Sequence, residues 1–203
     1  MSSFTKKELQ LLKRLNTPIK IQDYLDTLPF NHEDQGETCY SPHNVMIHKT
    51  AHCMEGALFA ACALMHTGRT PYILSLRVLE SDYDHALALY KENGYWGAIS
   101  KTNHAVLQFR DPVYKTVREL ALSYFHEYFL TKNGVKTLRG YSRPISLKRF
   151  GTSWMTSSEP LFEIAEAIYD AHHTSIIPKG NEKFLRKATP LERKTASISC
   201  DGR

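Results

Sequence analysis

Ala51-His52-Cys53-Met54-Glu55-Gly56-Ala57-Leu58-Phe59-Ala60-Ala61 is the stretch on which the reading of this chain turns. It places a cysteine at the start of an apolar helix that runs to about His66-Thr67-Gly68, where Gly68 supplies the stop signal. A helix N-terminus stabilises a thiolate through its macrodipole and its unpaired N–H groups. The same N–H groups can hold an oxyanion. Cys62, nine positions further on, falls in the helix interior and reads as a small buried hydrophobe.

Upstream of this helix the pattern is helical. Thr5 and Glu8 have capping-box spacing before Leu9, Leu12 and Leu15. Thr17-Pro18 and Ser41-Pro42 each put an N-cap residue before a proline at the first helical position. Residues 30–39 are polar and read as a loop. Downstream the period changes to that of strands: residues 72–78, 85–90, 95–100 and 104–110 are candidates, with Asn93-Gly94 as a hairpin turn. Asp111-Pro112 is expected to end the fourth strand. Residues 116–129 and 160–172 read as helices, and 136–150 shows no clear period. From 177 to 203 the chain is polar and charged and is expected to be a mobile tail. The expected fold class is α+β, a small antiparallel sheet packed against helices, in a single domain over 1–176.

The chain has 203 residues, 42% hydrophobic and 23% charged, with a formal net charge of +5. This is globular composition. The positive charges are scattered, which fits a solvated surface better than a nucleic-acid face. The basic run at 136–150 (Lys136, Arg139, Arg143, Lys148, Arg149) is the one place where an anionic partner is considered. No run approaches the length of a membrane span, and the N-terminal residues lack the apolar core of a secretory signal. Cys39, Cys53, Cys62 and Cys200 match no zinc spacing and read as free thiols of a cytoplasmic protein. His43, His48 and His52 form no metal-ligand pattern, and there is no phosphate-binding or dinucleotide motif, so neither a metal nor a cofactor is implied. The pair His172-His173 is read as stabilising the C-terminus of the last helix.

A thiolate nucleophile needs an imidazole to take its proton, and the imidazole needs an acceptor to fix its tautomer. His85 opens a strand 32 residues after Cys53. In this order residues 51–100 resemble the transglutaminase-like core of the papain-type cysteine-enzyme superfamily. The likeness lies in the Cys53 helix, the turn at Gly68 into Tyr72-Ile73-Leu74-Ser75, the strand Asp84-His85-Ala86-Leu87-Ala88-Leu89-Tyr90, and the hairpin Asn93-Gly94-Tyr95-Trp96. It implies an acyl-transfer site in which Cys53 attacks an amide or ester carbonyl and His85 moves the proton. The core would occupy about 51–110.

That family places an Asp about four residues after the Trp, and this chain has Ser100. A two-residue turn at Asn93-Gly94 pairs Glu92 with Tyr95 and sets Ser100 diagonal to His85 on one face. Asn103 is the other candidate for the orienting group, and an incomplete triad is the third option. His104, in Asn103-His104-Ala105-Val106, is a second candidate base, and Cys39 a rival nucleophile. Glu55 is expected to meet a basic neighbour or substrate, since a free negative charge there opposes thiolate formation. The expected activity is hydrolysis of a peptide, protein or small amide. The alternative is a non-catalytic binding module that keeps the fold with a degenerate site.

Overall fold

The computed structural model describes residues 3–198, so Cys200 lies outside the described residues. Three short helices come first: α1 (Lys6–Arg14), α2 (Pro18–Asp26) and α3 (Pro42–His48). Thr5, Thr17 and Ser41 cap them through side-chain oxygens, as the sequence signals require. Helix α4 (Cys53–His66) follows and is buried from Met54 to Leu64. A helix that is apolar all round belongs in a core, and α4 is enclosed by α1, α2, α3 and the sheet.

Strands β1 (Tyr72–Arg77), β2 (His85–Glu92) and β3 (Tyr95–Ser100) form an antiparallel meander. The β2–β3 register pairs Glu92 with Tyr95 and Leu87 with Ser100, as a two-residue turn at Asn93-Gly94 dictates. Asn93 and Gly94 both have positive φ, 49° and 87°, which that turn demands. The period of two sorts the side chains. Ala86, Ala88 and Ile99 pack into the cluster around α4. Leu87, Leu89 and Ala98 face a second cluster with Tyr124, Tyr128 and Ile176. Both faces of the sheet are thereby covered.

Beyond β3 the structure departs from the sequence reading. Residues 101–109 form a loop, and β4 (Arg110–Tyr114) begins where the fourth strand was expected to end. Pro112 is tolerated because β4 is the edge strand, where a missing N–H costs no ladder bond. Helix α5 (Val117–Ser123) is shorter than the apolar run suggested. The stretch without clear period contains β5 (Gly140–Ser142), β6 (Ile145–Ser146) and a 3-10 turn (Leu147–Phe150), and a second 3-10 turn (Ser153–Thr156) follows it. Helix α6 (Phe162–Tyr169) stops before the two histidines. His173 instead opens β7 (His173–Ser175), where its Nε2 lies 3.0 Å from Ser75 Oγ, so it does not serve the helix end. The sheet order is β4-β3-β2-β1-β5-β7, with β6 also paired to β1.

Residues 177–198 are not a loose tail. Helix α7 (Pro190–Ala196) is capped by Thr189, and Ala188 N–H donates to Gly134 O at 2.8 Å. Ala105 N–H donates to Ile198 O at 3.0 Å. Polar composition hid this, because these contacts use backbone groups and a few small apolar side chains. The described chain is therefore an α+β unit around an antiparallel sheet, in which no helix is long and apolar enough to cross a membrane.

Candidate active site

A cleft of about 890 Å³ opens at the end of the sheet, where β2 begins and β3 ends. Its walls bring together the N-terminus of α4 (Cys53), the start of β2 (His85), the loop after β3 (Asn103, His104), Tyr128 and Tyr169 of α6.

Cys53 is the first residue of α4 and is half-buried in this cleft. The preceding His52 is the N-cap: its Nδ1 accepts Met54 N–H at 3.2 Å. Glu55 closes the capping box by accepting His52 N–H at 2.9 Å. Burial disfavours a thiolate here. Hydrogen bonding with His52 and His85, together with their positive charge, outweighs it and holds the Cys53 thiol well below its ordinary pKa.

His85 is almost wholly enclosed, and its Nε2 lies 2.9 Å from Ser100 Oγ. Ser100 owns one proton, and it goes to the carbonyl of Leu107 at 2.6 Å. Toward His85 the hydroxyl oxygen is therefore an acceptor, so Nε2 carries the hydrogen. That assignment leaves Nδ1 as the basic nitrogen for the Cys53 thiol. The same bonds explain the serine. The position must accept from His85 and donate to Leu107, and a carboxylate cannot donate.

Ser100 is itself held by Gln22 of α2. The side-chain amide of Gln22 donates to Ser100 O at 2.8 Å and accepts Ser100 N–H at 2.9 Å, completing a strand end with a side chain in place of a neighbouring strand. The next residue, Lys101, is buried with its ammonium on the carbonyls of Leu25 and Leu28 at the end of α2. Its Cβ occupies the space that a side chain on Gly56 would need, 2.3 Å from an ideal Cβ there. Helix α4 and the end of β3 thus approach closely because Gly56 has no side chain.

Glu55 is fully buried and cannot meet substrate. It accepts from Thr38 Oγ1 and Tyr40 N–H at 2.8 Å each and from Asn31 Nδ2 at 3.1 Å, tying the 31–40 loop to the start of α4. Its expected basic neighbour is His52, whose Nε2 is 3.4 Å away. Burial disfavours the His52 cation, but its hydrogen bond with Cys53, the charges of Glu55 and Cys53 and the Thr38 carbonyl push its pKa up to about 9. A proton on Nδ1 would displace the Met54 N–H, so charge and cap oppose each other, and His52 is a weaker proton acceptor than the surrounding field alone implies.

The other candidates are placed differently. Asn103 and His104 lie in the loop after β3, Asn103 half-buried and His104 exposed, and neither is the hydrogen-bond partner of His85 Nε2. Cys39 lines the same cleft, but burial first, then the charge of Glu55, pushes its thiol up to about 12. Cys62 is buried in α4, as expected, with its thiol also pushed up to about 12 by burial. His43 Nδ1 meets the Glu8 carboxylate at 2.6 Å, joining α1 to α3.

Two features had no sequence signal. Tyr169 brings its hydroxyl to 3.9 Å from Cys53 Sγ from 116 residues away. The cleft wall also carries six carboxylates in a basic chain, Glu33, Glu37, Asp82, Asp84, Glu127 and Glu166, beside Lys101 and the histidines His32, His52, His85 and His104. Of these, Glu127 is paired with Arg110, and Asp84 lies 3.8 Å from Arg77. The role of His52 was legible, since Glu55 three residues later completes a capping-box spacing. The chain matches no protein-family model and no curated protein sequence.

Proposed function

We propose that this protein is a cysteine-dependent acyl-transfer enzyme with a transglutaminase-like, papain-type core, acting as a hydrolase of amide or peptide bonds. The observation that carries this reading is the Ser100 hydroxyl, placed 2.9 Å from His85 Nε2 and 2.6 Å from Leu107 O. Ser100 fixes the hydrogen on Nε2 and so turns a basic nitrogen toward a thiol already predisposed to ionise. Cys53 gives its proton to His85 and attacks the carbonyl carbon. His85 returns that proton to the departing nitrogen, and water then releases the acyl group from sulphur with His85 as base. Ser100 keeps the imidazole oriented through both steps. The case for a non-catalytic module rested on the missing Asp, and Ser100 supplies the acceptor that the Asp was wanted for.

The test is alkylation of the native protein by iodoacetamide across pH, with the modified cysteine mapped. Cys53 is expected to react well below the free-thiol pKa of about 8.5, while Cys39 and Cys62 stay silent. His85→Ala should move the Cys53 profile upward. A folded protein in which Cys53 does not react refutes the reading.

A further inference from the structure

Addition of a thiolate to a carbonyl moves the C=O π pair onto oxygen, and that oxyanion needs preorganised donors about 2.7–3.1 Å away. One donor is available at the start of α4. Cys53 is its first residue, where a backbone N–H has no intrahelical acceptor, and none of the described residues accepts it. Met54 N–H, the next one along, is consumed by His52. A second donor must come from elsewhere in the cleft.

The Tyr169 hydroxyl meets the requirement. It lines the cleft and lies 3.9 Å from Cys53 Sγ, a long contact to sulphur. The oxyanion sits on the carbon bonded to that sulphur, so a hydroxyl at this distance is close to the shell a donor must occupy. Its position is held from two sides. Tyr169 is the last residue of α6, and its carbonyl accepts from the Arg77 guanidinium at the end of β1. Arg77 also faces Asp84, the residue before His85, so one side chain ties the phenol-bearing helix to the base-bearing strand. The phenol also keeps its hydrogen. Burial raises its pKa far above the usual range, and the negative charge of Cys53 and the bond to it raise it further.

We propose that the Tyr169 hydroxyl is the second donor of an oxyanion site whose first donor is the Cys53 backbone N–H. This deepens the acyl-transfer reading and rests on it. In the addition step Sγ forms a bond to carbon and the carbonyl π pair becomes the oxyanion lone pair, to which Tyr169 and Cys53 donate. In the collapse the C=O bond re-forms and the leaving group departs with its electron pair, an amide nitrogen taking the proton from His85. Tyr169 is neutral throughout and transfers no proton.

Two reagents separate this role from a general effect on the thiol. Acylation by p-nitrophenyl acetate passes through an oxyanion, whereas alkylation by iodoacetamide displaces iodide at a saturated carbon and does not. Both rates are measured above the thiol pKa, so that thiolate population drops out. In Tyr169→Phe, shown to be folded by near-ultraviolet circular dichroism, acylation should slow by about 10- to 100-fold while alkylation changes by less than about twofold. Tyr169→Leu, run alongside, removes the hydroxyl in a second context and should show the same split. Equal losses with both reagents, or unchanged acylation, overturn the proposal. A wild-type protein that is alkylated but never acylated refutes the acyl-transfer reading itself, and this proposal falls with it. That outcome is visible before any variant is made.

Discussion

Ser100→Ala is the substitution that most directly probes the site. It removes the acceptor of His85 Nε2–H and the donor to Leu107 O together, at a position 1% exposed. When Cys53 is ionised and His85 carries the proton, the lost bond is one from a charged donor, worth about 1.5–3 kcal/mol, against about 0.5–1.5 kcal/mol for the same bond from the neutral ring. Only the difference, about 1–1.5 kcal/mol, shifts the titration, so at 1.36 kcal/mol per pKa unit the thiol should titrate about 1 unit higher in the variant. Between the two pKa values the thiolate fraction, and with it the iodoacetamide rate, should fall by up to about 10-fold, and at high pH the rates should converge. The sign follows from the folded-state shift: the wild-type thiol is depressed, so its advantage exists only at pH values below the ordinary thiol range. Stability should also drop by about 1–3 kcal/mol, because a buried donor and a buried carbonyl lose their partners. Ser100→Asp, which restores the carboxylate of the family pattern, should be the worse variant, since it places a negative oxygen against Leu107 O. The reasoning is refuted if Ser100→Ala is folded and keeps the wild-type alkylation profile.

Gly56→Ala should destabilise by about 1–3 kcal/mol in denaturant unfolding, through overpacking against Lys101, although the same change in an open helix stabilises by about 1 kcal/mol. An equally stable variant would mean that α4 and the end of β3 are not in close contact. Gln22→Ala should cost about 1–3 kcal/mol by leaving both backbone groups of Ser100 without their partner. It should also lower the Cys53 alkylation rate at neutral pH, and stability loss without any change in alkylation would separate Gln22 from the site. The acidic cleft should favour cationic thiol reagents: a trimethylammonium-ethyl methanethiosulfonate should modify Cys53 roughly tenfold or more faster than its sulfonate counterpart at low salt, with the ratio shrinking as salt rises. A ratio near one that ignores salt would show that these carboxylates do not set the potential at the thiol.

Much of the site was legible because it is built from local or period-two relations. Cys53 at a helix start follows from the residues beside it. The placement of Ser100 against His85 follows from one turn, Asn93-Gly94, because a two-residue hairpin fixes every pair above it. Residues 104–110 read as a strand in the sequence because Ala105-Val106-Leu107 is a short apolar run bounded by polar residues. Leu107 instead adopts a positive φ of 62°, and its carbonyl turns to meet Ser100. The 177–198 segment was misread because its anchors are few and widely spaced: Ile177, Ala188 and Ala196 are buried, and Arg193 donates to the carbonyls of Thr131 and Lys132.

By itself the sequence determined the four N-terminal helices, the β1–β3 meander and the neighbourhood of Cys53 and His85, all consequences of caps, turns and periodicity within short windows. Only the tertiary structure decided which proton sits on His85, because that depends on Leu107 O consuming the one hydrogen of Ser100. It also decided that burial pushes the Cys39 thiol pKa up, that Gln22 and Lys101 anchor the end of β3 on α2, and that Tyr169 reaches Sγ. These relations join residues up to 116 positions apart. No local pattern encodes them, since each exists only once the packed elements bring the two groups together.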